Sequence, residues 1–292
     1  MSEERMTQTP AWLDPALLAD HPELAVMTLD LPDSDGVPMD NERERLQMNL
    51  LLDVLFHHWQ DRQDYYAGGN MFVYYSTQQA HQILAEEAEP ARPRRAFRGP
   101  DLFVVMDVDG SFRRQKWVVW EEGGRYPDVI MEFLSPSTQR SDKTTKKTLY
   151  EQTFKTREYY WYDPFEPHEF QGWSLDLVRG YQPITPDARG WLWSPALQLW
   201  IGPWEGVYHN DQTTWLRFYD AVGRLLLTPQ EMAATADHRA QVAEQRATTA
   251  EQRATTAEQR AAAERARAEA AEAALLHLRA ELARQRGESH EA

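Results

Sequence analysis

Residues 97–163 carry the patterns that decide the fold. The segments PDLFVV (residues 100–105) and PDVIME (residues 127–132) both begin with Pro-Asp and continue with the apolar residues typical of β-strands. The polar segment DKTTKK (residues 142–147) follows, and EYYWYD (residues 158–163) is a further strand pattern. A helix is expected over residues 141–153, with Ser141 as its N-cap. This succession predicts an α/β domain.

Patterns outside this stretch extend the domain on both sides. Leucines at helical spacing predict a helix over residues 42–62, and Gly68-Gly69-Asn70 indicates a turn. A charged loop is expected over residues 86–100, and short aromatic strands over residues 169–227 predict an antiparallel extension of the sheet. The remaining strands are expected at residues 71–75, 101–108, 116–121 and 128–134. We therefore expect a flexible arm (1–40), a folded body (41–230) and a helical tail (231–292).

The tail contains a seven-residue repeat. The unit AEQRATT begins at Ala243 and again at Ala250. Alanine and then leucine side chains continue in steps of four and three as far as Leu282, with Glu264 as the one charged residue of this series. A spacing that averages 3.5 residues favours a left-handed coiled coil, which would make the protein a homo-oligomer. The alternative is a single solvated helix with charge pairs along its surface.

Composition excludes several classes of protein. The chain has no cysteine, so disulfides, zinc–thiolate sites, iron–sulfur clusters and a cysteine nucleophile are all excluded. The sequence has neither an apolar run long enough to cross a membrane nor a signal-peptide pattern, and a soluble cytoplasmic protein is expected. The net charge of −15 opposes non-specific binding to nucleic acid, so any such binding has to use local clusters of basic residues.

Two acids in the strand patterns are candidates for a metal site. Asp101 begins one strand, and Glu132 lies within another strand that is otherwise apolar. Carboxylate oxygens are the ligands that Mg²⁺ prefers, and a nearby ammonium can orient a water and stabilise charge. The alternative for Glu132 is an outward-facing residue of an edge strand or a buried salt bridge.

The lysine of this site is expected on the following helix. Asp142, Lys146 and Tyr150 share one helix face because they are four residues apart. Lys146 is the preferred candidate, while Lys143 and Lys147 are competitors. The alternative is an ordinary helical acid–lysine pair. Asp128 repeats the Pro-Asp pattern but is interpreted as a turn residue. The tryptophans of residues 173–215 could stack on bases, although aromatic strands more often belong to a core.

Four blocks of sequence resemble the Uma-type family of restriction endonucleases, within the PD-(D/E)XK nuclease superfamily. These blocks are the Pro-Asp at residues 100–101, EFLSPST (132–138), the Asp-x3-Lys-x3-Tyr pattern that begins at Asp142, and EYYWYDP (158–164). The resemblance covers about residues 41–230. The superfamily places its lysine two residues after the acid, but this chain has Leu134 there, so the lysine has to come from the helix.

The resemblance implies a mixed sheet flanked by helices, a restriction-endonuclease-like fold that cleaves DNA with Mg²⁺ or Mn²⁺. Asp101 and Glu132 match the family's metal-binding acids, and Lys146 would complete the catalytic set. Glu44, Lys143, Lys147 and Tyr150 are accessory candidates. The alternative function is a catalytically inactive nuclease fold that acts as an interaction module through its coiled coil.

Overall fold

The α/β architecture centres on a mixed sheet of six strands. A computed structural model describes residues 13–34, 41–89 and 96–288. The strand order in the sheet is β1-β3-β5-β6-β7-β8, where only β5 and β6 are parallel. The strands are β1 (Tyr65–Gly69), β3 (Leu102–Met106), β5 (Val129–Phe133), β6 (Glu158–Tyr162), β7 (Phe170–Asp176) and β8 (Gly180–Pro183). The predicted mixed sheet is confirmed, with β7 and β8 as its antiparallel extension; the later strands that were expected in this extension form a separate sheet.

A helix connects the two parallel strands, as parallel pairing requires. This site helix (residues 139–154) alternates α and π geometry along its length. Its pieces are Gln139–Ser141 (α), Asp142–Lys146 (π), Lys147–Leu149 (α) and Tyr150–Phe154 (π). Lys155 ends it in the left-handed conformation, at φ 54°. The crossover therefore lays the lysine-bearing segment over one face of the sheet.

The opposite face of the sheet is covered by helix α2 (Glu42–His58) and by a second, three-stranded antiparallel sheet. Leu50, Leu51 and Val54 of α2 are buried in one cluster with Val104, Met131 and other residues of the main sheet. The second sheet comprises β9 (Leu192–Ser194), β10 (Leu199–Tyr208) and β11 (Asp211–Tyr219). The main sheet is thus buried on both faces.

A third cluster of buried side chains joins the N-terminal segment to the body. Helix α1 (Pro15–Asp20) and a 3₁₀ helix (Pro22–Thr28) precede Leu31, which is buried together with Val26. They pack with helix α3 (Thr77–Ala88) and with the short parallel pair β2 (Val73–Tyr74) and β4 (Trp117–Val118). Residues 1–12 and 35–40 of the predicted arm lie outside the described residues. The flexibility of the arm stays a prediction.

Three local predictions were wrong. Gly68 and Gly69 belong to β1, and the turn falls at Asn70 (φ 46°). A Cβ on Gly68 would lie 2.8 Å from the Phe103 ring, so glycine permits close packing there. The expected loop from residue 86 is helical as far as Ala88, while residues 90–95 lie outside the described part. Ser141 is not the N-cap, because the site helix begins two residues earlier and follows Thr138.

The C-terminal unit, Gln230–Ala292, consists of the tail helix, which spans Pro229–Glu288. Its leucines 275, 276, 278 and 282 are each more than half exposed. The predicted long helix is confirmed, whereas the coiled coil stays a prediction, as do the predicted domain boundaries. Among the described residues, no helix combines the length and the apolar character needed to cross a membrane.

Candidate active site

The candidate acids Asp101 and Glu132 lie opposite each other on neighbouring strands. The antiparallel register pairs Leu102 with Met131, so the next residues outward are Asp101 and Glu132. Both share a sheet face with Phe103 and Ile130, which pack against Tyr150 and Phe154 of the site helix. The acids therefore point toward the site helix.

Glu132 is fully buried and has two side-chain partners from the site helix. Lys146 Nζ lies 3.0 Å from Glu132 Oε2, and the Tyr150 hydroxyl donates to Oε1 at 2.5 Å. The backbone N–H of Asp101 also approaches Oε2, at 3.4 Å. Each carboxylate oxygen thus accepts from at least one donor. Glu132 is not an outward-facing residue of an edge strand, and its contact with Lys146 is the buried salt bridge that was the other alternative.

Asp101 is half-buried next to Glu132. Its Oδ2 accepts a hydrogen bond from the backbone N–H of Phe133 at 2.7 Å. This bond ties the aspartate to the end of β5, directly beside Glu132. Asp101 is the most exposed acid of the cluster, since Glu132 and Asp142 are fully buried.

Asp142 supplies a third carboxylate, and it is also fully buried. Its Oδ1 lies 2.8 Å from Lys146 Nζ, so the ammonium sits between Asp142 and Glu132. In the described part of the chain, Asp142 Oδ2 has no hydrogen-bond donor. Buried carboxylate oxygens are usually paired, so this oxygen keeps capacity for a further donor or a cation.

Burial and mutual repulsion shape the electrostatics of the cluster. Burial raises the pKa of Glu132 well above its usual value; Lys146 opposes this, and Asp101 and Asp142 reinforce it. Burial likewise raises the pKa of Asp101, again against the attraction of Lys146. For Lys146, burial acts to lower the pKa, but the three carboxylates outweigh it and raise the pKa above the usual value. The ammonium therefore stays charged at neutral pH.

The competing lysines have other partners. Lys143 Nζ forms an ion pair with Glu169 Oε2 at 2.9 Å, and Lys147 Nζ lies 3.9 Å from the centre of the Trp173 ring. Of the three lysines, Lys146 is the one in contact with Glu132. The geometry brings Asp101, Glu132, Lys146 and Tyr150 together, as the sequence predicted, while their catalytic roles stay predictions.

The structure places Glu44 away from these contacts. It lies in the first turn of α2, where its backbone N–H and its carboxylate both bond to the side chain of the N-cap Asn41. Helix α2 packs on the face of the sheet opposite Glu132. An accessory role for Glu44 stays a prediction that none of these contacts supports.

The carboxylate of Asp128 contacts groups at the ends of neighbouring strands. It accepts a hydrogen bond from the backbone N–H of Met106 at 2.8 Å and forms an ion pair with Arg157 at 3.1 Å. It therefore connects three strands of the sheet at the start of β5. Asp128 was expected to be a turn residue. It does lie directly before β5, but its buried carboxylate also connects neighbouring strands.

The donor set fits a hard divalent cation. Among the described residues, no three His, Cys, Asp or Glu side chains are grouped as a metal-binding set. Mg²⁺ commonly takes only one or two carboxylates from a protein and fills its other positions with water and phosphate oxygens. Asp101 and Glu132 offer such a pair, and the unpaired Oδ2 of Asp142 lies in the same cluster. Asp101 and Glu132, with Asp142 beside them, could therefore hold a divalent cation such as Mg²⁺.

Sequence reasoning missed two features of the site. It treated Asp142 as a helical partner of Lys146 and did not anticipate its complete burial. It also gave Trp161 no place at the site, although Trp161 pairs directly with Glu132 in the parallel register. A signal was present in EYYWYD, because alternation on β6 puts Trp161 on one face with Tyr159.

In the mixed sheet, a lysine-bearing helix joins the two parallel strands, and two acids lie on neighbouring strands. These features define an α/β restriction-endonuclease-like protein. The sequence profile of the Uma2 family, described as "putative restriction endonuclease", matches residues 37–203. The chain belongs to the Uma2 family. No curated protein is significantly similar to it.

Proposed function

We propose that this protein is a metal-dependent endonuclease that hydrolyses DNA phosphodiester bonds in the cytoplasm. The observation that carries the proposal is the convergence of Asp101, Glu132 and Lys146 at the ends of two neighbouring strands. Membership of a family described as restriction endonucleases supports the nuclease class.

Each residue has a distinct role in the proposed reaction. Asp101 and Glu132 would hold Mg²⁺ or Mn²⁺, which when bound supplies charge stabilisation and a more acidic water. Lys146 keeps its positive charge, so it acts as a donor that orients the attacking water and offsets developing negative charge, not as a base. Tyr150 fixes the orientation of Glu132 through its hydroxyl. Asp142 holds the other side of the ammonium.

Nicking of supercoiled plasmid tests this proposal. The wild-type protein is expected to nick only when Mg²⁺ or Mn²⁺ is added. Asp101→Ala removes one carboxylate from the ion and is expected to lower the rate by about 100-fold or more. Glu169→Ala is the matched control, because it also removes a carboxylate, but one whose partly exposed pair with Lys143 lies outside the cluster. Gel quantification of nicked product over time gives the rates.

Two results would contradict the proposal. Equal nicking by the wild type and by Asp101→Ala would mean a contaminant or another site. No nicking by a folded wild type with either ion would favour the alternative function, an inactive nuclease fold that acts through its tail.

We also propose that the tail helix pairs with a second copy of the chain. The support is the regular spacing of its small and leucine side chains and the exposure of its leucines, including Leu275, Leu278 and Leu282. Two copies would suit cleavage of both strands of a duplex.

Deletion of residues 237–292 tests the pairing. The full chain is expected to have at least twice its monomer mass of 34.0 kDa in solution, and the truncated chain the mass of one copy. Light scattering coupled to size exclusion measures both. If deletion leaves the oligomeric state unchanged, the tail does not mediate association.

A further inference from the structure

Lys147 lies on two tryptophans directly beside the candidate site. Its Nζ is 3.9 Å from the centre of the Trp173 ring and 5.8 Å from that of Trp161, and the two ring centres are 4.1 Å apart. Burial lowers the pKa of Lys147, against the attraction of Glu151. In the described part of the chain, no carboxylate forms an ion pair with Lys147; Glu151 itself accepts a hydrogen bond from the backbone N–H of Tyr181. Its charge is therefore uncommitted.

The register of the sheet gives the approximate distance between the tryptophan pair and Glu132. Trp161 of β6 lies opposite Glu132 of β5, and Trp173 lies on β7, the next strand. Neighbouring strands are about 4.8 Å apart, so the tryptophan pair begins one strand away from Glu132 and ends two strands away, roughly 5–10 Å. A phosphate at Lys147 would thus be separate from one held between Asp101 and Lys146.

The charge of the site makes such a contact necessary. Asp101, Glu132 and Asp142 carry three carboxylates against the single ammonium of Lys146, and this excess repels a phosphodiester until a cation binds. Lys143 cannot offset it freely, because its own charge is paired with Glu169. Lys147 is the neighbouring cation whose charge is available.

The tryptophans prepare Lys147 for an anion. Cation–π contact attracts one side of the ammonium, and its other N–H donors stay free for phosphate oxygens. Trp161 is only 7% exposed, and its indole Nε1 finds no hydrogen-bond acceptor in the described part of the chain. The cluster thus contains an unsatisfied neutral donor beside an uncommitted cation.

We propose that Lys147, seated on Trp161 and Trp173, binds a non-scissile phosphate of the DNA strand that enters the site. This proposal rests on the proposed function, because it assumes that DNA is the substrate. It assigns to Lys147 a role in binding substrate that differs from the catalytic role of Lys146 next to it in the chain.

Binding without cleavage tests the proposal. Fluorescence anisotropy of a labelled 20-base-pair duplex, in EDTA and with the full-length protein, gives Kd over a series of salt concentrations. Lys147→Gln is expected to weaken binding about tenfold, and to reduce the slope of log Kd against log salt by about 0.9, the value for one lost phosphate contact. Lys155→Gln is the matched control: it removes the same charge at an exposed residue that ends the same helix.

A second variant separates charge from folding. Lys147→Arg keeps the positive charge and the stacking on tryptophan, so it is expected to bind the duplex as tightly as the wild type. Unchanged Kd and salt slope in Lys147→Gln would overturn the proposal and leave the proposed function intact, provided that the wild type still nicks plasmid. A wild type that binds no duplex in EDTA at any salt concentration would contradict the role of Lys147 alone, because plasmid nicking with added Mg²⁺ or Mn²⁺ tests the proposed function separately.

Discussion

Replacement of Glu132 by glutamine is expected to abolish cleavage without destabilising the fold. Glutamine has the shape of glutamate, and with its one amide oxygen toward Tyr150 it accepts the same hydrogen bond, but it offers no acceptor to Lys146 and no charge to a divalent cation. Loss of such an electrostatic contribution at the reacting centre is expected to lower the rate on the order of 10³-fold. Plasmid nicking measures the rate, and urea denaturation measures the free energy of unfolding.

The stability half of this prediction follows from the pKa of Glu132. Burial raises that pKa, and Asp101 and Asp142 add to the effect, so the ionised carboxylate is unfavourable in the folded state. A neutral side chain relieves this repulsion. Lys146 loses one partner but keeps Asp142 at 2.8 Å, so it is not left uncompensated. We expect the free energy of unfolding at neutral pH to rise, or to fall by less than about 1 kcal/mol.

The predictions for cleavage and for stability can fail independently. If Glu132→Gln cleaves DNA at the wild-type rate, Glu132 is not part of the active site. A loss of several kcal/mol in unfolding free energy would show that its attraction to Lys146 outweighs the repulsion from the two aspartates. Glu169→Gln is a suitable control, because its partly exposed pair with Lys143 should contribute only about 0–1 kcal/mol.

The sequence predicts the main sheet and the candidate acids well, for a physical reason. Strands buried on both faces are nearly continuous apolar runs, so an acid such as Glu132 within one is conspicuous. The helix that joins two parallel strands has to cross the sheet, and i, i+4 spacing then puts Lys146 on one face with Asp142 and Tyr150. Local patterns thus determined which side chains face each other.

What the sequence could not give depends on contacts between distant segments. Gly68 and Gly69 suggest a turn from sequence alone. The structure shows instead that glycine is needed there because the Phe103 ring and helix α2 pack closely against these two residues. Asp142 is indistinguishable from a surface acid until Lys146 and the sheet bury it. The π geometry of the site helix has no sequence signature either, although such turns are frequent at functional sites.

Replacement of Lys146 by methionine is expected to cost about 3–5 kcal/mol of unfolding free energy at neutral pH, because it leaves buried Glu132 and Asp142 without their cation. Lys143→Met, on the same helix, breaks a partly exposed pair and should cost at most about 1 kcal/mol. Urea denaturation across a pH series measures both variants.

The pH dependence of the Lys146→Met deficit identifies its cause. Without the ammonium, the pKa of Glu132 is raised further above its usual 4.5, so the folded state holds a proton that the unfolded state has lost. Stability of the variant then falls as pH rises above 4.5, and the deficit relative to the wild type shrinks as pH is lowered toward that value. A deficit that stays constant with pH would mean lost packing and not unpaired charge. Cleavage should fall as well, by about 10²–10³-fold, because the donor that orients the water is gone.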